Sequence, residues 1–594
     1  MTKDHRHPIL VLYGSQTGTA EEVCERVVMQ SRGSNFSCSC MALDDYNIED
    51  LVNAEVAVFV CSTTGQGEPP DNMKKFWRFI MRKNLPPTCL ADLKFGVLGL
   101  GDSSYAKYNF VAKKLCRRLE NLGADPLLKL GLADDQHDWG PDAVVDPWVT
   151  EMWQKLINLH PVDEQYTSPL GSSLPPPGFN VKMENGNSSL VIRDQLFVNG
   201  NGMKQTYNRK HPFLAPVKSN TRVTSVDHFQ ETRLISFDVS AVSEELAYEP
   251  GDVVMIQPSN VKADVEEFLS ALPFAADTPM VFEATTDCDF SIAIPKPVTL
   301  RELAKNYLDF MSVPRRSFFQ LLAHVSSDEL EKEKLTEFGS PEGTEERYDY
   351  ANRPRRTILE VLQDFHKTTR EISLERIFDI FPIIRPRAFS IASSPSKHKG
   401  ELHVLVAVVK YKTRLSHPRK GLCSNWLSTL KPLTQVPIWI KRGGIRFSRN
   451  APCIMVGPGT GIAPFRSAAH ERSSSYSQAA TVVFFGCRGK AADYYFEEEW
   501  KTLPVKFFAA FSRDQEEKVY VQHNIKENAV ELWNLIKHKN ACVFVAGNSK
   551  NMPDDVKSAF LDIFQAQGNM TSEEAQYFYE ELQRNKRYQQ ETWS

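Results

Sequence analysis

Stretches of glycine and hydroxyl residues that follow apolar runs are where this sequence could hold a phosphorylated ligand. The first, GSQTGTAEE (14–22), presents Ser15, Gln16, Thr17, Gly18 and Thr19 and then opens a helical pattern. Backbone N–H groups, hydroxyls and a helix N-terminus suit a terminal phosphate dianion without a cation. The stretch contains no lysine and does not match GxxxxGK[ST]; ATP would call for that lysine and a magnesium ligand. Two more loops follow apolar runs: STTGQGEPPDN (62–72) and GLGDSSYAKYNF (99–110). In a doubly wound sheet such loops converge at the C-terminal strand ends, where ligands sit. The last of them offers Tyr105, an aromatic able to stack on a planar ring.

A further glycine turn, IMVGPGTGIAPF (454–465), again leads from strand to helix and carries Gly459 and Thr460. It is GxGxG and not GxGxxG, so by itself it says only that a phosphate sits near a helix. The discriminating residues follow the strand KFFAAF, in SRDQEEKVYVQH (512–523): Ser512, Arg513, Lys518, Tyr520 and Gln522. NADH sites place an acidic residue on the ribose 2′-hydroxyl. Two cations with two hydroxyls suit a 2′-phosphate, hence NADPH, through charge-assisted bonds.

The elements that must position these residues are legible in the hydrophobic pattern. Runs at Ile9–Tyr13, Val56–Cys61 and Phe95–Leu100 are unalternated, as strands buried on both faces are. Ala20, Val23, Cys24, Val27 and Val28 recur at helical spacing and give one buried face. Residues 1–160 are therefore expected to form a doubly wound parallel α/β domain. From 161 to 207 periodicity fails and Pro, Gly, Ser and Asn dominate, which predicts a flexible linker. Alternation in TRLISFDVS, YEPGDVVMIQP, RAFSIASS and ELHVLVAVVKY predicts an antiparallel β-barrel over 208–447, interrupted by a helical insertion at about 263–378. The charged run SSDELEKEKLTEF within it reads as a solvated helix face. Residues 448–594 return to α/β, with strands at Cys453–Val456, Thr481–Phe485, Lys506–Phe511 and Cys542–Ala546.

At 594 residues the chain exceeds one hydrophobic core, and roughly three to four domains are expected. Residues 1–160 hold 17 Lys+Arg and 21 Asp+Glu, while the remainder holds 53 of each, so the whole net charge of −4 lies in the first part. No basic nucleic-acid footprint is present. No apolar run reaches the ~18–20 residues that span a bilayer, and the polar N-terminus suits neither a secretory signal nor a transit peptide. Eleven cysteines are spread widely, with Cys38 and Cys40 as a lone CxC. They read as reduced, mostly buried thiols, and no metal site is expected.

SQTGTAEE together with GLGDSSYAKYNF resembles the FMN-binding flavodoxin module. The resemblance implies that Ser15, Gln16, Thr17, Gly18 and Thr19 hold the FMN phosphate. It adds Ser62, Thr63, Thr64 and Gly65 from the middle loop, and Leu100, Gly101, Tyr105 and Asn109 from the next. Tyr105 would stack on the isoalloxazine, with Asp134 of GLADD beside it. Relatives place a second aromatic where Thr64 stands, which implies weaker FMN binding or a shifted potential. RPRAFSIASS (385–394) resembles the R-x-[YF]-S motif of the ferredoxin-reductase fold. There Arg387 would neutralise a pyrophosphate, with Ala388 beside it; Phe389 would stack on a second flavin, FAD, and Ser390 would bond near N5. Phe389 lacks the phenol of many relatives. GLCSNWL, through Gly421, Leu422, Cys423 and Ser424, would seat pyrophosphate at a helix N-terminus. FFGCR and VFVAGNSKNM match the same fold and support NADPH.

Over its full length the chain resembles the diflavin reductase family, the architecture of cytochrome P450 reductase and its soluble relatives. That implies hydride transfer from NADPH to FAD and electrons onward through FMN to a protein acceptor. In that family a terminal aromatic shields the FAD ring until nicotinamide displaces it, and Trp593 of QQETWS occupies that place. The resemblance also makes Ser390 and Glu591 catalytic, with Ala546 where relatives carry a cysteine, implying an altered rate. No oxygenase domain, long linker or N-terminal membrane anchor is expected. The compact soluble form of the family implies a cytoplasmic protein whose acceptor is the iron–sulfur protein anamorsin, in cytosolic iron–sulfur cluster assembly. The alternatives are a soluble reductase for a haem protein such as a P450, and a catalytically silent flavin scaffold. The acidic N-terminal part is consistent with docking a basic surface through Glu68, Asp71 and Asp102, or with plain solubility.

Overall fold

The computed structural model describes residues 6–64, 67–105, 107–162, 165–171, 173–183, 207–285, 294–474 and 479–593. It divides into two units. One holds residues 1–192, 260–385 and 413–415; the other holds 193–259, 386–412 and 416–594. The helical insertion therefore belongs with the N-terminal α/β part.

In chain order the first strands are β1 (His7–Gly14), β2 (Phe36–Ala42), β3 (Val56–Ser62), β4 (Lys94–Gly101), β5 (Asp125–Pro126) and β6 (Gly131–Asp134). Between them lie α1 (Thr19–Ser31), α2 (Lys74–Ile80) and α3 (Phe110–Asn121), with α4 (Asp142–Leu159) closing the series. The sheet is parallel, in the order β2-β1-β3-β4-β5 with β6 on β4. β3, VAVFVCS, is buried at every position but its last, as a strand covered by helices on both faces must be. α1 buries the predicted Ala20, Val23, Cys24, Val27 and Val28. β2 and β6 were not marked by an apolar run. β2, FSCSCMA, ends the sheet, where one neighbour suffices and alternating serines are tolerated.

β7 (Phe179–Met183) corrects the linker expectation, because it lies inside 161–207. It pairs antiparallel with β11 (Met280–Ala284), a strand within the insertion read as helical. Phe179 is buried against Phe282 and Phe378, which gives this short ladder its apolar anchor. Residues 184–206 lie outside the described part. The insertion is otherwise helical around Phe268, Phe310, Phe319 and Phe381, with Phe268 and Phe310 stacked at 4.2 Å. Capping boxes at Thr299/Glu302 and Thr357/Glu360 start two of its helices. The SSDELEKEKLTEF run forms the helix Glu329–Gly339, buried only at Leu335, Phe338 and Gly339.

The second unit opens with β8 (Phe213–Arg222), β9 (Thr232–Asp238) and β10 (Val253–Ile256). It continues with β12 (Arg387–Ser390), β13 (Glu401–Ala407), β14 (Lys410–Tyr411), β15 (Arg419–Lys420) and β16 (Gln435–Lys441). Six of these form an antiparallel sheet in the order β12-β10-β16-β8-β9-β13. Among the described residues its ladders do not close into the expected barrel; an isolated bridge, Ile391↔Val404, joins the chain just past β12 to β13. The last strands are β17 (Cys453–Val456), β18 (Thr481–Cys487), β19 (Lys506–Phe511), β20 (Cys542–Asn548) and β21 (Tyr588–Trp593). They form a parallel sheet, β19-β18-β17-β20-β21. Four stand where the pattern predicted. The fifth, YQQETW, is polar and gave no signal; it is held by its ladder to β20 and by buried Tyr588.

Candidate functional site

The first three loops leave β1, β3 and β4, which are adjacent in the sheet, so they converge at one C-terminal edge. β1 ends at Gly14, where a Cβ would meet Met73 Sδ at 2.7 Å. The Ser15 N–H then donates to Asn72 Oδ1 at 2.9 Å, and Ser15 Oγ accepts from the Gly18 N–H at 2.8 Å. Gln16 is clamped to Asp71 through both amide atoms, at 3.0 and 3.2 Å. Thr17 is exposed at the tip. Gly18 adopts φ +99° and precedes α1 without any side-chain cap. The first-turn N–H groups of α1, with the Thr17 and Thr19 hydroxyls, thus make a donor set that fits a phosphate.

In the middle loop Ser62 Oγ donates to Gly14 O at 3.2 Å, tying β3 to β1. The Thr63 N–H reaches Leu100 O, and Thr64 closes a small turn on Glu68 O at 3.0 Å. Gly65 lies outside the described residues. The third loop turns on Asn109, fully buried at φ +52°, whose Nδ2 donates to Ala133 O at 2.9 Å. Its Oδ1 would stand 2.8 Å from a Cβ on either Gly99 or Gly101, which is why both positions must be glycine. Tyr105 is half-buried, its N–H bonded to Asp102 O. Asp134, the register partner of Gly101, accepts from the Ser103 and Gln136 N–H groups at 2.9 and 3.0 Å. Burial pushes its carboxyl up, but these donors outweigh that and hold it below the usual carboxylate range. Asp134 therefore fixes the loop that carries Tyr105. Asp71 and Asp102 are likewise engaged: Asp71 bonds Gln16 and Lys74, and Asp102 bonds Ser104 and Gln136.

In the second unit β12 lays RAFS antiparallel to β10, pairing Arg387 with Ile256, Ala388 with Met255, Phe389 with Val254 and Ser390 with Val253. Arg387 and Ala388 are exposed, whereas Phe389 and Ser390 are half-buried. Gly421 precedes the helix Leu422–Thr429, again without a side-chain cap. Ser424 Oγ accepts from the Val409 N–H at 3.0 Å, so it holds the strand beside the helix. Burial pushes the Cys423 thiol up to about 12, with the positive Arg387 opposing it. The uncapped start of this helix offers backbone N–H donors that fit a pyrophosphate.

The later glycine turn is built by close approach. A Cβ on Gly457 would meet Gly461 O at 2.6 Å, and one on Gly461 would collide with Ala546 O. Gly459, at φ +56°, has nothing within 4 Å of its Cβ position, so the turn is open there, and Thr460 follows. Ser512 and Arg513 extend from β19, their N–H groups bonded to Cys487 O and Arg488 O at 3.0 and 2.8 Å. Arg513, Lys518 and Tyr520 are exposed, and Gln522 Nε2 donates to Asp555 Oδ2 at 3.3 Å. The β20–β21 ladder sets Glu591 beside Ala546 and Trp593 beside Asn548. Trp593 is half-buried on a core that includes Phe465 and Phe544.

Three supporting residues escaped the sequence reading. Asn72 lies in a turn-forming PPDN and gave only a loop signal. Arg385 precedes the R-x-F-S motif by two residues. Arg466, in GIAPFR, is buried in the helix after the later glycine turn and forks onto Glu499 at 2.7 and 2.8 Å.

The chain matches the flavodoxin family over residues 11–148, the FAD binding domain over 205–426 and the oxidoreductase NAD-binding domain over 455–558. Among curated proteins it is 47% identical to the NADPH-dependent diflavin oxidoreductase 1 of Xenopus laevis, covering 99% of both chains. The protein of the same name from Danio rerio is 47% identical, covering 99% of this chain and all of the relative. That of Schizosaccharomyces pombe is 36% identical, covering 98% and 99%.

Proposed function

Because this chain belongs to the NADPH-dependent diflavin oxidoreductase 1 family, we propose that it passes electrons to an iron–sulfur protein, anamorsin, in cytosolic iron–sulfur cluster assembly. It is an NADPH-dependent flavoprotein oxidoreductase whose cofactors are FMN, FAD and NADPH. The bound flavins would supply the hydride-accepting and one-electron chemistry, and the residues below would hold them. The observation that carries the outward end is the convergence of three loops on one sheet edge, with an uncapped helix start and a half-buried Tyr105.

In this reading Ser15, Gly18 and Thr19 grip the FMN phosphate, with Ser62, Thr63, Thr64, Leu100 and Gly101 lining the loops. Asn109 and Asp134 lock the loop that lays Tyr105 on the ring. Arg387 with Gly421 and Leu422 holds the FAD pyrophosphate, and Phe389 and Ser390 face the flavin from β12. Gly459 and Thr460 receive the NADPH pyrophosphate, while Ser512, Arg513, Lys518, Tyr520 and Gln522 select the 2′-phosphate. Ser390 and Glu591 orient the nicotinamide for transfer, and Trp593 covers the FAD ring until nicotinamide enters. We divide the chain into an FMN domain (1–160), a segment that carries β7 (161–207), an FAD domain with the mainly helical insertion (208–447, insertion 263–378) and an NADPH domain (448–594).

Stopped-flow reoxidation of the NADPH-reduced protein by purified anamorsin and by a P450 tests the acceptor. Rapid reoxidation by anamorsin and slow reoxidation by the P450 is the expected result. The reverse order supports a haem-protein reductase instead, the second reading, which the cytochrome P450 reductase-like architecture keeps in view.

A further inference from the structure

We propose that Arg385 supplies the positive charge that the Ser15–Thr19 turn lacks, as an electrostatic positioning residue for the FMN phosphate. The proposal rests on the reading that this turn holds that phosphate. The turn has backbone donors and hydroxyls, but the helix behind it begins badly for an anion. Glu21 and Glu22 stand in the first turn of α1, with Glu25 one turn further on. Acidic side chains there are favourable for the helix alone. For a phosphate dianion arriving at the same helix start they are like charges in a low-dielectric corner. Glu21 is 5% exposed, so water screens it little.

Arg385 meets this group. Its side chain is 13% exposed, pairs with Glu21, and lies 3.6 Å from Glu22 and 3.9 Å from Glu25. Tyr13 Oη also donates to Glu21, at 3.1 Å, and Arg315 is a second partner of Glu22. A Cβ at Gly18 would collide with the Cδ, Nε and Nη1 atoms of Arg385. The guanidinium thus lies flat over the left-handed glycine of the turn itself. Gly18 serves twice: it supplies the positive φ, and it leaves room for the cation. Three carboxylates at the start of α1 thus gather around Arg385, and Arg315 also reaches Glu22. Loss of Arg385 removes positive charge from this corner and turns it against the ligand.

The cation is not in the loop because the fold brings it from the segment just after the helical insertion, within the same unit.

Full-length protein stripped of FMN and retaining FAD is titrated with FMN and, separately, with riboflavin, which has the ring and no phosphate. Arg385→Gln is expected to weaken FMN by about tenfold to a hundredfold, the range of one charge-assisted interaction, and to leave riboflavin unchanged. Adding Glu21→Gln to that variant should restore FMN affinity. Glu21→Gln alone, which keeps Arg385, should tighten FMN and not riboflavin; this variant serves if Arg385→Gln does not fold. Equal loss of FMN and riboflavin would make Arg385 merely structural and overturn the proposal, as would unchanged FMN affinity. Thr19→Val separates the two levels. If it leaves FMN affinity intact, the turn is not the phosphate seat and the underlying reading falls. If it weakens FMN while Arg385→Gln does not, only the role of Arg385 falls.

Discussion

Replacing Arg466 by methionine removes one charge from the middle of the second unit and leaves its volume nearly filled. Arg466 is 3% exposed and forks onto Glu499 at 2.7 and 2.8 Å; it also donates to the buried Ala392 O at 2.8 Å and lies 4.5 Å over the Phe496 ring. Ala392 directly continues the RAFSI strand, and Arg466 belongs to the helix that follows the GxGxG turn, so the guanidinium pins two cofactor-bearing segments together. Methionine leaves the carbonyl without its donor, which costs about 1–3 kcal/mol. Breaking a buried ion pair costs about 3–5 kcal/mol, but that value is an upper bound here. Glu499 is 35% exposed and keeps His470 at 3.0 Å, so water and the imidazole take up part of its charge. About 3 kcal/mol is the net expectation for Arg466→Met. With a urea slope of about 3 kcal/mol/M for a unit of this size, the midpoint for FAD release should fall by about 1 M. In the double variant with Glu499→Gln at least about 1 kcal/mol should return, because the carboxylate is no longer left unpaired. A shift of Arg466→Met within about 0.5 kcal/mol of the parent, or strictly additive losses in the double variant, would refute the reasoning.

Acid should destabilise the second unit in two windows. Burial, then Arg466, push His398 down to about 3 from 6.5, so the fold binds it neutral; stability is complete above about pH 6.5 and drains away toward pH 3. Lys218 and His403 hold Glu401 at about 2, and His470 and Arg466 hold Glu499 there against its burial; both contributions are present above about pH 4.5 and are lost toward pH 2. FAD-release temperatures measured down the pH scale should show both losses, and His398→Asn should flatten only the upper one. Asn109→Ala gives up a buried bond and puts alanine at φ +52°, about 2–3 kcal/mol together, so FMN should be lost on gel filtration; Asn109→Gly, free of the φ penalty, should retain more of it. Arg513→Ala with Lys518→Ala should lower kcat/KM for NADPH about 10- to 100-fold and leave NADH turnover unchanged, measured by flavin reduction at equal coenzyme concentrations.

The strands that carry chemistry were legible because burial on both faces forces continuous apolar runs, as at Val56–Cys61 and Cys453–Val456. The glycine turns were legible because close backbone approach leaves no alternative, as at Gly99, Gly101 and Gly461. What escaped is held by pairing and not by composition. β21 is a polar hexapeptide made a strand by its neighbour, and β7 is a few residues of an apparent linker anchored by Phe179. Asn72 and Arg385 act on a loop far from them in sequence, and no local pattern marks such a partner. Asp71 and Asp102, whose charge suits either docking or plain solubility, are each hydrogen-bonded to the loops around them. A linear reading sees the charge and cannot see its hydrogen-bond partners.

The same point governs the excess acid of residues 1–160. Part of its counter-charge comes from the insertion and the residues just after it: Arg315 meets Glu22, Arg316 meets Asp146 at 2.6 Å, and Arg385 meets Glu21, while Arg32 pairs with Asp379 at 2.5 Å. These pairs are mostly well buried, so salt screens them less than it screens surface pairs. A flavodoxin-like part with this composition would, alone, lack Arg315 and Arg385 at the first turn of α1. In the chain the insertion completes it. The insertion is thus more than a spacer between two halves of a sheet: its Arg315 and Arg316 are ion-paired to the N-terminal α/β part. A substitution at Arg315 or Arg385 should accordingly register at the FMN turn before it registers at the FAD strand that follows in sequence.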